Sequence, residues 1–497
     1  MDQCIVKTKY GQVRGEYTGG VYIWRGIPYA DSPEGGARFK GPSPPAKWDG
    51  IRDAVEFGHA CPQGVRMKRR SVIRDMSEDC LTLNIWSPSV SAEKLPVFFY
   101  IHGGSFVEGA GSDPEYEGTK LVSEGDIVLI TVNYRLGAFG FMDFSFLSDE
   151  FYPNCGLRDL ALALRWVNEN IENFGGDKNN VTVGGQSAGA ICAVVLPMLD
   201  EAKSYISRVI VMSAAPTLIH SREDGQNIAK RFMEFADIKD SESLKKVFAG
   251  KLVDLQSAFA VCSGLGAVAF GISVDGKMVK NYPIPAAKEG LMRGKPMFFG
   301  TTREEMSFVL KNSLAHIIDI EKVRKAGTAS ESKEVKERIQ NAYKMYGKRG
   351  AAIRYSDFSF RIPSIWCAEA QSEHADTWMY RFDFETAAMR ISGLHSFHSS
   401  DIPFLFGNFR TGLARLMLLL SPVKRRVNRV HREFRDDFLT FIKNGSLPWG
   451  KIDEKKTDAK VYTIPSRIEH AVPDEIMKAY DASDYRRRSF AGEGIIF

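Results

Sequence analysis

Val181-Thr182-Val183-Gly184-Gly185-Gln186-Ser187-Ala188-Gly189, continued by AICAVVLPML from Ala190, sets a β-branched run, a glycine-rich turn and an apolar helical pattern in that order. A nucleophile elbow requires this order. Glycines on either side of the serine let strand and helix approach closely while the serine holds a strained backbone. Its Oγ is then presented at the carboxyl end of the strand, beside a helix N-terminus that favours developing negative charge. The bare Gly-x-Ser-x-Gly pattern is weak, with about 0.3 chance matches expected in such a chain. The strand before it and the helix after it give it weight.

On either side of this stretch, apolar runs recur between longer helical patterns: Val97–Ile101, Ile127–Val132, Val209–Met212, Met297–Phe299, Trp378–Phe382 and Val461–Ile464. Runs this apolar suit strands covered on both faces, and the segments between them are long enough for crossover helices. One such helix spans Asp159 to Phe174 and stops at Gly175-Gly176. The fold class is therefore α/β, a large, mostly parallel, doubly wound sheet. Residues 220–290 and 310–375 are richer in charge and helical pattern and read as insertions over one end of the sheet.

Composition bounds the function without choosing it. The 497 residues carry Lys+Arg 66 against Asp+Glu 61, a net charge of +5, which excludes a general polyanion binder. No nucleic-acid partner is expected. The first residues alternate like a strand, with no basic and apolar leader, and no apolar run approaches the roughly 20 residues that span a bilayer. No membrane anchor is expected. Seven cysteines are too few for a disulfide framework, so a cytoplasmic location follows as the expectation. There is no Walker loop, no H-E-x-x-H and no C-x-x-C, so no cofactor or metal is implied.

A serine nucleophile needs backbone N–H groups aimed at the developing oxyanion, partly from the loop after an earlier strand. Val97–Ile101 ends in His102-Gly103-Gly104-Ser105-Phe106, which fits. The candidate oxyanion hole is Gly103, Gly104, Ser105 and Ala188, with Phe106 beside it in the pocket. His102 reads as structural.

These strings resemble the type-B carboxylesterases, the family of para-nitrobenzyl esterases, liver carboxylesterases and cholinesterases. The likeness runs over nearly the whole chain: RGIPYADSPEGGARFKGP from Arg25, CPQ from Cys61, SEDCLTLNIWSP from Ser77, NYRLGAFGF from Asn133, ALRWVNENIENFGGDKNNVTVGGQSAGA from Ala163 and HSSDIPFLFG from His398. The resemblance implies an α/β-hydrolase fold, with a small N-terminal antiparallel sheet and helical insertions over the active site. The three candidate catalytic positions span 187 to 398, so one catalytic domain over 1–497 is expected, with the insertions as pocket walls.

In this fold the order is serine, acid, histidine. Gly300-Thr301-Thr302-Arg303-Glu304-Glu305 is similar to the family's glycine, four residues, catalytic glutamate, and puts the acid on Glu305. Glu304 is the runner-up, read as a solvated carboxylate. Met306 stands where the family usually has glycine. His398, opening H-S-S-D-I-P-F-L-F, matches the family's histidine, while His395 reads as a loop or pocket-rim residue. Other positions depart from the family. Where cholinesterases carry a cation-binding tryptophan, counting back from Ser77 gives Arg70, which disfavours a cationic alcohol. Gln186 replaces the glutamate common before the nucleophile in animal members. Cys61 and Cys80 match positions bridged in secreted relatives, and two thiols are expected here. The basic run Lys424 to Arg435 reads as a salt-bridged exposed helix.

The expectation is a serine-dependent carboxylic ester hydrolase with a Ser-His-Glu triad, acting on a small-molecule ester as a monomer or homodimer. The alternatives are the same triad specialised for a carbamate, amide or lactone, and a non-catalytic, neuroligin-like binding protein. The last is disfavoured because Ser187, Glu305 and His398 are all present.

Overall fold

A computed structural model describes residues 4–64, 75–90, 94–307, 330–418, 424–453 and 456–493. Eleven described strands form the main sheet: β1 (Glu16–Thr18), β2 (Val21–Pro28), β3 (Thr82–Ser87), β4 (Leu95–Ile101), β5 (Val128–Val132), β6 (Gly176–Gln186), β7 (Arg208–Met212), β8 (Met297–Thr302), β9 (Thr377–Phe382), β10 (Asp458–Tyr462) and β11 (Arg467–His470). Their order is β11-β10-β9-β8-β7-β6-β4-β5-β3-β2-β1. From β5 through β4 and β6 to β10 every pairing is parallel. The strands flanking that block pair antiparallel. A separate small sheet holds Ile5–Lys7, Gln12–Arg14 and Ile51–Asp53.

The continuous apolar runs are explained by cover on both faces. In β8, Met297 and Phe299 join one core layer while Phe298 joins the other. Successive side chains of a strand point to opposite faces, so a strand covered on both sides has no polar position to spare. Crossover helices supply the cover. α1 (Cys155–Asn170), α2 (Ala188–Val195) and α3 (Ile362–Ser372) lie in the first layer, and α4 (Lys424–Asn444) packs Phe434, Phe438 and Phe441 into the second. Phe298 meets the rings of Phe438 and Phe441 at 5.1 and 5.6 Å.

Boundaries moved where pairing outweighed composition. α1 stops at Asn170, and a 3-10 turn over Ile171–Phe174 carries the chain to Gly175, whose φ of 84° ends it. β6 begins at Gly176, five residues before the apolar run, because Leu95 of β4 pairs with Gly176 and recruits polar residues into the ladder.

One expectation is corrected. Cys61 and Cys80 form a disulfide, with Cα atoms 5.1 Å apart. A parallel bridge between Ala60 and Met76 holds the two cysteine-bearing segments side by side. The basic run lies on an exposed helix with ion pairs, Arg435 to Glu124 and Asp436, and Glu433 to Lys460, and Arg425, Arg426, Arg429 and Arg432 face solvent. The first inserted region is helical over Arg222–Ala236, Ser241–Lys246 and Ala249–Cys262. No helix among the described residues is long and apolar enough to cross a membrane.

Candidate active site

Ser187 sits between the end of β6 and the start of α2 with φ 57° and ψ −123°. Such a backbone costs about 1–3 kcal/mol and persists only when its surroundings fix it. Here Ser187 N–H donates to the Met212 carbonyl (2.9 Å), and Ala190 and Ile191 N–H donate to the Ser187 carbonyl. The flanking glycines are needed for close approach. A Cβ on Gly185 would lie 2.4 Å from Gly189 backbone, and one on Gly189 would lie 2.2 Å from the Ile101 carbonyl.

The oxyanion-loop candidates lie against this serine. A Cβ on Gly103 would lie 3.1 Å from Ser187 Cβ and 2.7 Å from Gln186 Oε1. Gly104, Ser105 and Phe106 follow with φ of 124°, 55° and 61°. Val107 and Glu108 N–H both donate back to the Gly104 carbonyl, which locks the turn. Ala188 opens α2, so its N–H is among those a helix leaves without an internal partner. His102 is buried, stacks on Tyr134 at 4.6 Å and accepts the Tyr134 hydroxyl at its carbonyl (2.8 Å).

Glu305 follows β8 and is fully buried. Its Oε1 accepts the Ser213 hydroxyl (2.7 Å) and the Thr302 N–H (2.6 Å). Its Oε2 lies 2.5 Å from His398 Nδ1. His398 N–H donates to the Glu305 carbonyl (3.3 Å), and Phe360 packs on the imidazole at 5.0 Å. Met306 is buried and outside the left-handed region, and its N–H donates to Ser356 Oγ, so this loop needs no glycine there. His398 Nε2 faces Gln186 Nε2 at 3.0 Å. With the amide donating, Nε2 carries the lone pair and Nδ1 the hydrogen, which suits Glu305 as its acceptor.

Ser213 and the Gln186 contact escaped the sequence reading. Ser213 immediately follows β7, the neighbour of the nucleophile strand, and the carboxyl ends of such strands gather functional groups. Glu304 is corrected. It is buried, not solvated, and pairs with Arg349. His395 Nδ1 meets Glu385 Oε2 at 3.2 Å. Phe106 is buried against Phe141 at 4.5 Å, and Val107 and Glu108 line a neighbouring cavity. Arg70 lies outside the described residues. That cavity, of about 1490 Å³, is walled by Gln63, Val107, Glu108, Phe248, Asp254 and Phe270, and its described lining does not reach Ser187 or His398.

Asp401, three residues past His398, is fully buried. Its Oδ2 accepts the Tyr380 hydroxyl (2.8 Å), and its Oδ1 has no partner among the described residues. Burial first, and then the charge of Glu305, push its carboxyl from 3.8 up to about 6. A raised acid holds its proton longer folded than unfolded. Its stabilising contribution is therefore complete below pH 4 and lost as pH rises through about 6, by roughly 3 kcal/mol. Asp401→Asn, neutral throughout, should gain stability relative to the parent by that order between pH 4 and pH 8. Urea denaturation at both values measures it, and a pH-independent difference would refute the shift.

The Carboxylesterase family model matches residues 2–463. The chain belongs to the carboxylesterase family. The para-nitrobenzyl esterase of Bacillus subtilis is 35% identical to this carboxylesterase over 454 residues, covering 90% of this chain and 91% of that one. The fumonisin B1 esterase of Sphingopyxis macrogoltabida is 31% identical, covering 81% and 74%. A solved para-nitrobenzyl esterase superposes with TM-score 0.87 at 32% identity, covering 96% of this chain and 99% of its own. A carboxylesterase of Geobacillus stearothermophilus gives TM-score 0.84 at 32% identity, over 97% and 100%. The α/β-hydrolase fold and a serine-dependent carboxylic ester hydrolase activity follow for this carboxylesterase.

Proposed function

We propose that the protein hydrolyses small to medium carboxylic esters through an acyl-enzyme on Ser187, with His398 as base and then acid and Glu305 as its orienting carboxylate. The observation that carries this reading is the 2.5 Å contact between His398 Nδ1 and Glu305 Oε2, made by loops that follow different strands. With Nδ1–H donated to Glu305, the Nε2 lone pair faces the elbow. Gln186 holds that lone pair in the resting enzyme, and Ser187 Oγ–H replaces it as substrate enters. His398 takes the proton as Oγ attacks the acyl carbon, and the N–H groups of Gly104, Ser105 and Ala188 receive the oxyanion, with Gly103 keeping the approach clear. His398 then protonates the leaving alcohol. Water, deprotonated at the same Nε2, attacks the acyl-enzyme and releases the acid, while Glu305 stabilises the imidazolium.

The cavity beside Val107 and Glu108 is the proposed entry for the substrate, with helices of residues 220–290 as its wall, all within one catalytic domain. We place the protein in the cytoplasm, a reading supported by five free cysteines of seven and opposed by the Cys61–Cys80 bridge, and we expect a monomer or homodimer. Specialisation of the same triad for a carbamate, amide or lactone is the second reading. It is favoured by relatives named for particular substrates, a phenmedipham hydrolase (38% identical over 214 residues) and the fumonisin B1 esterase. The mechanism is tested by treating the protein with an organophosphate and mapping the adduct by mass spectrometry. Ser187 should carry it with stoichiometric loss of ester hydrolysis, and an unlabelled Ser187 in an inactivated enzyme would overturn the assignment.

A further inference from the structure

Behind the candidate triad lies a second charged cluster that the mechanism does not use. Glu304, adjacent in sequence to Glu305, has a side chain only 1% exposed. One guanidinium, that of Arg349, pairs with Glu304 and with Glu385 (2.8 Å). Glu385 in turn meets His395 Nδ1 at 3.2 Å, three residues before His398. The acid loop and the histidine loop also touch directly, since Glu304 N–H donates to the Ser396 carbonyl (2.8 Å). Ligand-capable atoms of Glu304, Glu385 and His395 all lie within 4.8 Å of one another, and Arg349 supplies the positive charge this grouping needs.

A carboxylate as buried as Glu304 is stable only when paired, and removing its partner leaves an uncompensated charge that costs several kcal/mol. The chain relieves that cost by moving the carboxylate toward water. Glu304 cannot move without displacing Glu305, and displacements near 1 Å at a reacting centre cost about 100-fold in rate. We propose that Arg349 is a positioning residue for ester hydrolysis: its guanidinium neutralises Glu304 and joins it to Glu385, holding the loop of Glu305 in register with the loop of His398. This rests on the triad assignment above. Arg349 comes from the 3-10 turn Lys344–Arg349, in the helical region between β8 and β9, and its side chain is 35% exposed. Its truncation therefore leaves no large internal cavity.

The test is steady-state hydrolysis of a chromogenic ester by Arg349→Met, Arg349→Lys and the double variant Arg349→Met/Glu304→Gln, with thermal unfolding recorded for each. Arg349→Met should lose about 30-fold in kcat with KM within about two-fold of the parent, as expected for misplaced catalytic groups. Arg349→Lys, whose ammonium keeps the charge without the fork that spans two carboxylates, should fall between, and it serves as the folded variant if Arg349→Met fails to fold. The double variant leaves no charge at Glu304 to relieve, Arg390 still faces Glu385 (3.7 Å), and most of the lost kcat should return. Three results overturn the proposal: kcat of both single variants within two-fold of the parent, a loss confined to KM, or a double variant no better than Arg349→Met. Ser187→Ala and His398→Ala are assayed alongside. If they keep activity the triad reading fails, whereas if they abolish it and Arg349→Met is unaffected, only the role of Arg349 fails.

Discussion

Glu305→Gln should lower kcat by about 10⁴-fold in a protein that folds normally, the scale expected when a catalytic histidine is locked in the wrong tautomer. The hydrogen bonds around Glu305 dictate how the new amide sits. Oε1 accepts from two donors, Ser213 Oγ–H and Thr302 N–H. Both neighbours donate, so the glutamine carbonyl takes that position and its NH₂ group lands where Oε2 meets His398 Nδ1. The NH₂ donates there, Nδ1 becomes the acceptor, and the imidazole hydrogen moves to Nε2. Nε2 then has no lone pair with which to deprotonate Ser187. Size and packing are preserved, so the thermal midpoint should move by only a few degrees. A loss in kcat below about 100-fold would mean that Glu305 does not set the tautomer.

The same residues mark what the sequence made legible. The sheet strands were readable because burial on both faces leaves apolar runs such as Val97–Ile101 and Met297–Phe299, and pairing with β4 explains the extension of β6 back to Gly176. The elbow was readable because its requirements are local: a strand, two glycines that a Cβ would drive into backbone, and a helix. Glu305 and His398 needed the likeness to a family, since nothing near either residue says that two loops separated by 93 positions meet.

What stayed hidden depends on neighbours distant in the chain. Glu304 looked like a solvated carboxylate because one of two adjacent glutamates usually is, but the turn after β8 buries both and Arg349 arrives from 45 residues away to neutralise it. Ser213 carries no motif, and its value comes from lying one strand over from the nucleophile. The Cys61–Cys80 bridge was misread because cysteine count speaks to compartment, whereas a bridge depends on which cysteines the fold places together, here with Cα atoms 5.1 Å apart.

Gly104→Ala is the second large effect expected, with kcat down by about 10²–10³-fold, the cost of losing an oxyanion donor. Two independent features forbid a side chain there. The φ of 124° lies where L residues are strained, and a Cβ would sit 1.8 Å from the Glu108 carbonyl oxygen and 2.6 Å from its carbon. The obstacle is backbone, itself held by Val107 and Glu108 N–H groups donating to the Gly104 carbonyl, so it cannot swing aside as a flexible side chain would. The turn must open, and the amides of Gly104 and Ser105 move with it. An oxyanion exists only in the transition state and tetrahedral intermediate, so the loss belongs in kcat, with KM changed little. Gly36→Ala is the matched control, because a Cβ there meets nothing within 4 Å and its φ is ordinary. Steady-state kinetics of both variants on one chromogenic ester make the comparison. If Gly104→Ala keeps kcat within a few-fold of Gly36→Ala, the oxyanion is stabilised elsewhere and the assignment of this loop is wrong.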